Sequence, residues 1–293
     1  MSFIISTDTC CDMFKSELKA RGIEHIPMSY CFDTPVYDTF DSDADYENFY
    51  QRLKNGELST TSQANSVEYA EYYDGLVAAH PDTDILHLVL SSGLSGTYEV
   101  ARAAAEAVNQ RLGKKRIYCL DSLAATQGMH YQLTLMEACR DKGMTAAETE
   151  AYVTEVRGRQ HHFLLTSDLF HLYRGGRLSR AAATVGSILH IKPIIVIDSK
   201  GRLNVYDKVV GIKKALKYVV AAVKKYDADL SLPVFLAHGG KEIRDEFLAL
   251  LAEKYPDIKP VVGWIGPVIG THTGCDALGF VFAAKTPRFV FKD

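Results

Sequence analysis

No two cysteines of this chain have C-x-x-C spacing, no apolar run is long enough to cross a bilayer, and no lysine follows its glycine-rich turn. Each absence removes a class of function. The six cysteines (Cys10, Cys11, Cys31, Cys119, Cys139 and Cys275) are scattered. Adjacent Cys10 and Cys11 do not readily share one ordinary metal site, so free, buried thiols are expected. No uninterrupted apolar stretch approaches the roughly 18 to 20 residues of a membrane helix. The start Met1-Ser-Phe-Ile-Ile-Ser-Thr-Asp8 shows neither a basic leader nor a cleavage signal, and a cytoplasmic protein is the expectation. Fixed-period repeats and low-complexity tracts are also missing.

What remains is ordinary globular composition, with 47% hydrophobic and 24% charged residues over 293 positions, a length that suggests two domains. The net charge of −3 conceals an asymmetry: residues 1–160 hold 14 Lys and Arg against 24 Asp and Glu, while residues 161–293 hold 19 against 12. Between Arg174 and Lys225 stand 12 basic residues and only two acidic ones, Asp198 and Asp207. Such a stretch either attracts an anionic partner or forms a solvated helix face with a few loop charges. The acidic first half and near-neutral pI of 6.4 argue against nucleic acid as that partner.

Along the chain, Phe3-Ile-Ile-Ser6 reads as a strand, a turn with a cap follows over Thr7–Asp12, and a helix runs to about Ala20. Ile26–Phe32 reads as a second strand. Helices are expected over Asp41–Leu53 and Ser66–Ala79, separated by a polar turn at Ser59–Asn65. Ile85–Leu90 is a near-continuous apolar run of the buried parallel-strand kind, followed by a helix over Thr97–Arg111. A strand at Arg116–Leu120 and helices at Ala125–Lys142 and Thr145–Arg159 complete an N-terminal domain, residues 1–160. Its alternation predicts a parallel sheet with helices on both faces. Residues 161–293 read as a mixed α/β C-terminal domain. Its expected strands are Phe163–Thr166, Lys192–Ile197, Arg202–Tyr206, Pro233–His238, Val261–Ile265 and Gly279–Ala283. Its expected helices are Leu169–Tyr173, Ala181–Leu189, Lys213–Tyr226 and Glu242–Lys254.

Three polar turns contend for a binding site: Thr60-Thr-Ser-Gln63, Ser91-Ser-Gly-Leu-Ser-Gly-Thr97 and Gly270-Thr-His-Thr-Gly274. Loops beyond the strand ends of an open parallel sheet converge on one rim, where ligands bind. Helix starts there present unpaired N–H groups and the positive dipole end, which suit phosphate or carboxylate. Any one such turn is otherwise a simple N-cap. The second is the stronger signal, because Gly93 and Gly96 flank Ser95 and permit close backbone approach. It matches neither G-x-x-x-x-G-K-[ST] nor G-x-G-x-x-G, which disfavours a nucleotide, and it is not the G-x-S-x-G of a serine hydrolase. A phosphoryl-transfer or hydrolytic enzyme using this turn is therefore the alternative reading only. His161, His162, His171 and His190 lack metal-ligand spacing. His272, between two threonines, either hydrogen-bonds an anion or hydroxyl or merely caps a strand end. Arg174-Gly-Gly-Arg177 offers either bidentate anion donors or a helix C-cap with solvated arginines.

These segments together resemble the DegV family, the bacterial fatty-acid-binding proteins. The resemblance rests on Thr7-Asp8-Thr9 with Asp12, Thr61-Ser-Gln63, Ser91–Tyr98, Asp168-Leu-Phe with Tyr173-Arg-Gly-Gly-Arg-Leu-Ser179, Ile191-Lys-Pro-Ile, Lys208 with Gly211, and His272-Thr-Gly274 with Ala277-Leu-Gly279. It implies a two-domain protein that buries a long-chain fatty acid, the C-terminal domain covering the acyl chain, and that does no chemistry and carries no cofactor. The carboxylate would be held by Thr61, Ser62, Ser92 and Ser95, with His272 contributing from the second domain. The partner implied is a fatty acid kinase that makes acyl phosphate for phospholipid synthesis, met through Arg174, Arg177 and Arg202, and a transient membrane-surface contact is compatible with this. Ala64 stands where the family commonly has proline, and Cys275-Asp276 replaces its Pro-Gly. Physically, about 1.5–3 kcal/mol per charge-assisted bond satisfies a carboxylate without a lysine. A tail of roughly 15 methylenes supplies on the order of 12 kcal/mol before ordering costs.

Overall fold

The computed structural model describes residues 3–166, 169–178 and 191–291. Chain order in the first unit is β1 (Phe3–Asp8), α1 (Lys15–Ala20), β2 (Ile23–Ile26), β3 (Ser29–Cys31), β4 (Pro35–Tyr37), α2 (Asp43–Lys54), β5 (Thr60–Ser62) and α3 (Ser66–Ala79). There follow β6 (Asp84–Val89), α4 (Thr97–Leu112), β7 (Ile117–Asp121), α5 (Gln127–Asp141) and α6 (Ala146–Arg157). Strands β2-β1-β6-β7 form a parallel sheet. The right-handed crossovers β1-α1-β2 and β6-α4-β7 run in opposite directions along that sheet, which puts α1 and α4 on opposite faces. β6 is buried from Ile85 to Val89, as an apolar strand covered on both sides must be. Its one buried polar side chain, His87, bonds Ser6 Oγ at 2.7 Å, and Ser6 bonds the Tyr72 hydroxyl of α3 at 2.6 Å. Burial pushes His87 down to about 3, so it stays neutral there.

The second unit contains β8 (Gln160–Leu165), α7 (Phe170–Arg174), β9 (Ile191–Ile197), β10 (Leu203–Val210), α8 (Ile212–Lys225), β11 (Phe235–His238), α9 (Lys241–Lys254), β12 (Val261–Trp264), α10 (Pro267–Thr273) and β13 (Leu278–Ala283). Its sheet, in order β10-β9-β8-β13-β11-β12, is mixed: only β11 and β12 run parallel. One apolar core surrounds the parallel sheet and takes in Phe235, Val281 and Ala283 of the mixed sheet, and a second packs the mixed sheet against α8 and α9. An aromatic cluster joins the two units. Trp264 stacks on Tyr46 at 5.5 Å between ring centres, its indole N–H donates to Asp43 Oδ1 at 2.7 Å, and Tyr50 donates to the Ile265 carbonyl at 2.7 Å.

Three local expectations change. The strand expected over Ile26–Phe32 is two strands: β2 ends at Ile26, and β3 joins a separate antiparallel sheet, β4-β3-β5. Pro27, lacking an N–H, cannot extend the ladder. The polar turn at Ser59–Asn65 contains β5, and the glycine-bounded stretch around His272 is the end of α10, closed by Gly274 at φ +82°. The helix expected over Ala181–Leu189, the motif residues Asp168 and Ser179, and His190 lie outside the described residues.

Candidate functional site

The loop from Leu90 to Gly96 is braced from below. Asp8 accepts the N–H of Leu90 at 2.7 Å and that of Cys10 at 2.9 Å. Burial raises its carboxyl to about 6, and those two amides hold it back from rising further. Ser91 donates to the Gly201 carbonyl at 2.8 Å and accepts the Gly93 N–H at 3.1 Å, tying the loop to the β9–β10 turn. A Cβ on Gly93 would lie 2.5 Å from the Gly201 carbonyl carbon. The glycine expected to admit a ligand thus admits the hairpin turn of the second unit. Gly93→Ala should destabilise the protein by about 1–3 kcal/mol, because the obstacle is backbone; an unchanged urea midpoint would show that this approach is not tight.

On the cavity side of the loop, Ser95 Oγ bonds Thr97 Oγ1 at 2.7 Å and Gln63 Oε1 at 3.2 Å, and it accepts the Thr97 N–H at 3.2 Å. Facing it is β5, held in register by Tyr30 opposite Thr61. Thr61 Oγ1 and His272 Nε2 are 2.9 Å apart. His272 is pushed down to about 4 by burial and by the nearby Arg177, Arg174 and His171, so its ring is neutral. A Cβ on Gly175 would meet His272 Nδ1, so this glycine makes room for the ring. Arg177 donates from Nε to the Leu94 carbonyl at 3.1 Å and from Nη1 to the Gly175 carbonyl, while Arg174 donates to the Ser59 carbonyl at 3.2 Å.

These groups line one cavity of about 380 Å³, within the usual range for small-molecule sites. Thr61, Ser62, Gln63, Ser95, Thr97, Arg177 and His272 make its polar wall, and Met28, Leu90, Leu94, Leu172, Val268 and Ile269 are among its apolar walls. A hollow of about 70 Å³ shares Leu94, Leu203, Ile269 and Thr273 with it and continues to Phe163, Leu164 and Val281 in the second sheet. The polar wall is therefore adjoined by an apolar path of side chains leading toward the second sheet.

Of the residues singled out from sequence, Thr61, Ser62, Ser95 and His272 come together at this cavity and Ser92 does not. Ser92 is exposed, and its backbone N–H is held by Asp121 Oδ1 at 3.1 Å. Arg177 also borders a surface hollow of about 320 Å³ together with Arg202, whose Nε lies 3.3 Å from Asp198 Oδ2. Arg174 borders neither hollow. Gln63 and Thr97 join Ser95 here without having been singled out as ligands. Both lay inside quoted motifs, and the signal for Gln63 was its place two residues after Thr61. All six cysteines are free, and among the described residues no group of three or more His, Cys, Asp or Glu is placed to hold a metal. No described helix is long and apolar enough to cross a membrane.

Comparison with known proteins adds the family. The model described as DegV, an uncharacterised protein family, matches residues 2–285. This chain belongs to the DegV family. A DegV domain-containing protein of Clostridium perfringens is 32% identical over 287 residues, 97% of this chain and 98% of that protein. Among solved structures, DegV of Bacillus subtilis, described as a fatty acid binding protein, superposes with a TM-score of 0.81 at 28% identity, over 97% of this chain and all of that one. A Streptococcus pneumoniae protein described as Fatty Acid Kinase (Fak) B3, loaded with linoleic acid, shares the fold at a TM-score of 0.81 and 17% identity, covering 97% of this chain and 100% of its own. The DegV fold thus accounts for the α/β architecture.

Proposed function

We propose that this DegV protein is a fatty-acid carrier that holds one long-chain acid with its carboxylate on the polar wall and its tail along the apolar path. The observation that carries this is one cavity with hydroxyls at Thr61 and Ser95 and a predominantly apolar lining beyond them. A neutral His272 carrying its proton on Nε2 donates to Thr61 Oγ1, which frees the threonine hydroxyl hydrogen for a carboxylate oxygen. Ser95 donates to the other oxygen in exchange for its bond to Gln63. Two hydroxyls, one of them freed by the neutral imidazole, donate to the carboxylate, and the Arg177 guanidinium on the same wall, donating to the Leu94 and Gly175 carbonyls, supplies a positive charge nearby.

In this reading the protein performs no chemistry alone. A cytoplasmic fatty acid kinase supplies ATP and phosphorylates the presented carboxylate, and the hollow between Arg177 and Arg202 meets that partner or its phosphates. Loading from a membrane surface needs only transient contact. The hydrolytic alternative finds no support in the site. Ser95 is bonded to Gln63 and Thr97, while His272 is bonded to Thr61, so Ser95 lacks the adjacent base that a serine nucleophile needs.

Protein purified from bacterial cells and examined by native mass spectrometry should carry the added mass of a long-chain acid. A ligand-free spectrum, with no uptake when oleic acid is titrated in, would overturn the carrier reading.

A further inference from the structure

On the polar wall two hydroxyls converge on one carbonyl. Ser95 Oγ lies 2.7 Å from Thr97 Oγ1 and 3.2 Å from Gln63 Oε1, and Thr97 Oγ1 lies 3.4 Å from that same amide oxygen. Each hydroxyl has a single hydrogen to give. If Thr97 donates to Ser95, Ser95 donates to Gln63; if Ser95 donates to Thr97, Thr97 donates to Gln63. Either way the chain of donors ends on Gln63 Oε1. The other end of the amide, Nε2, has no hydrogen-bond partner among the described residues, and the side chain is exposed.

An ionised carboxylate accepts hydrogen bonds and donates none. Once Ser95 gives its hydrogen to the acid, Gln63 Oε1 stands beside a carboxylate oxygen as a second acceptor for that hydrogen. Two acceptors so placed repel, and the remedy is local. The last torsion of a glutamine is broad and roughly twofold, so its oxygen and nitrogen exchange places at little cost. A Cβ on Gly96 would lie 3.4 Å from Oε1 and 3.7 Å from Nε2, so both ends of the amide rest against a residue with no side chain. Water meets whichever atom faces outward. The other nitrogen-bearing side chains of this wall are already engaged: Arg177 donates to the Leu94 and Gly175 carbonyls, and His272 Nε2 is bonded to Thr61. Gln63 Nε2 is an unengaged donor beside Ser95.

We infer that Gln63 binds the carboxylate directly: its amide turns over, and Nε2 donates to the oxygen that also accepts from Ser95. This role rests on the fatty-acid reading and adds a third donor to Thr61 and Ser95. It also favours a free acid over a neutral chain of the same length, because only the bond to the acid is charge-assisted. Oleyl alcohol both donates and accepts, so it meets Oε1 without the turn.

Calorimetric titration of delipidated protein tests this. Gln63→Met keeps the length of the side chain and removes both amide atoms; it should weaken oleic acid about tenfold and oleyl alcohol by no more than about threefold. Gln63→Glu keeps the acceptors and removes the donor, so it should weaken oleic acid further, and it decides the matter should Gln63→Met fail to fold by circular dichroism. In protein labelled with nitrogen-15 at its six glutamines, the side-chain amide pair that either variant removes should move downfield and exchange more slowly with water as oleic acid saturates. Unchanged or tighter oleic acid binding in a folded variant would overturn the role, since a residue that only accepts from Ser95 competes with the ligand. An equal loss for oleyl alcohol, or a Gln63 amide pair that does not respond, would do the same. No uptake of oleic acid by the unsubstituted protein would instead overturn the carrier reading and this role with it.

Discussion

The double variant Thr61→Ala, Ser95→Ala should lose fatty-acid retention by a factor on the order of 10²–10⁴. The two hydroxyls reach the polar wall from opposite elements, Thr61 from β5 and Ser95 from the loop before α4. Each charge-assisted bond to a carboxylate contributes about 1.5–3 kcal/mol, and losing both removes roughly 3–6 kcal/mol. The lower end applies if water replaces the hydroxyls. Oleate displacement titration measures the affinity, and acyl phosphate formation with an added fatty acid kinase measures presentation. Ser92→Ala is the control, since Ser92 is exposed and off the cavity. Unchanged transfer in the double variant would remove the hydroxyl seat. Equal losses from Ser92→Ala would show that the loop acts as a whole.

That contrast between Ser92 and Ser95 marks the limit of what could be read in advance. The buried run at Ile85–Leu90, the helix over Ser66–Ala79 and the hydroxyl-rich segments at Thr61 and Ser95 are all legible, because periodicity and burial are local properties. Which serine faces the cavity depends on the loop path, and that path is set by Asp8 below it and by Gly201 against Gly93. The small sheet β4-β3-β5 escaped notice for a similar reason. Its strands span only three residues each, β4 is wholly exposed, and they lack the alternation of a half-buried strand. Gly270-Thr-His-Thr-Gly274 resembled a turn since two glycines bound it and threonine is a poor helix former. Packing overrode propensity: Pro267 starts a short helix whose Thr271 bonds Ser59 Oγ at 2.7 Å, and His272 follows onto Thr61. The apolar path was the least legible part, because Phe163, Leu203, Ile269 and Val281 converge from four separate elements.

Ile269→Trp should convert the protein from a long-chain to a short-chain carrier. Ile269 lines both the main cavity and the smaller hollow, so a tail that passes from one to the other runs by it. An indole there occupies space that the distal half of a long tail needs, and it removes none of the donors at Thr61, Ser95 and His272. Excluding roughly six methylenes at about 0.8 kcal/mol each removes on the order of 5 kcal/mol, or 10³–10⁴ in affinity. The larger ring also strains its surroundings by about 1–3 kcal/mol. That strain weakens every ligand that depends on the folded site, whereas blockage weakens only ligands long enough to reach it. The ratio of octadecanoic to octanoic acid affinities therefore separates the two effects. It should fall by at least a hundredfold in Ile269→Trp, with the octanoic affinity itself changed less than tenfold. A ratio equal to that of the unsubstituted protein would mean that the tail leaves the polar wall by another route than past Ile269.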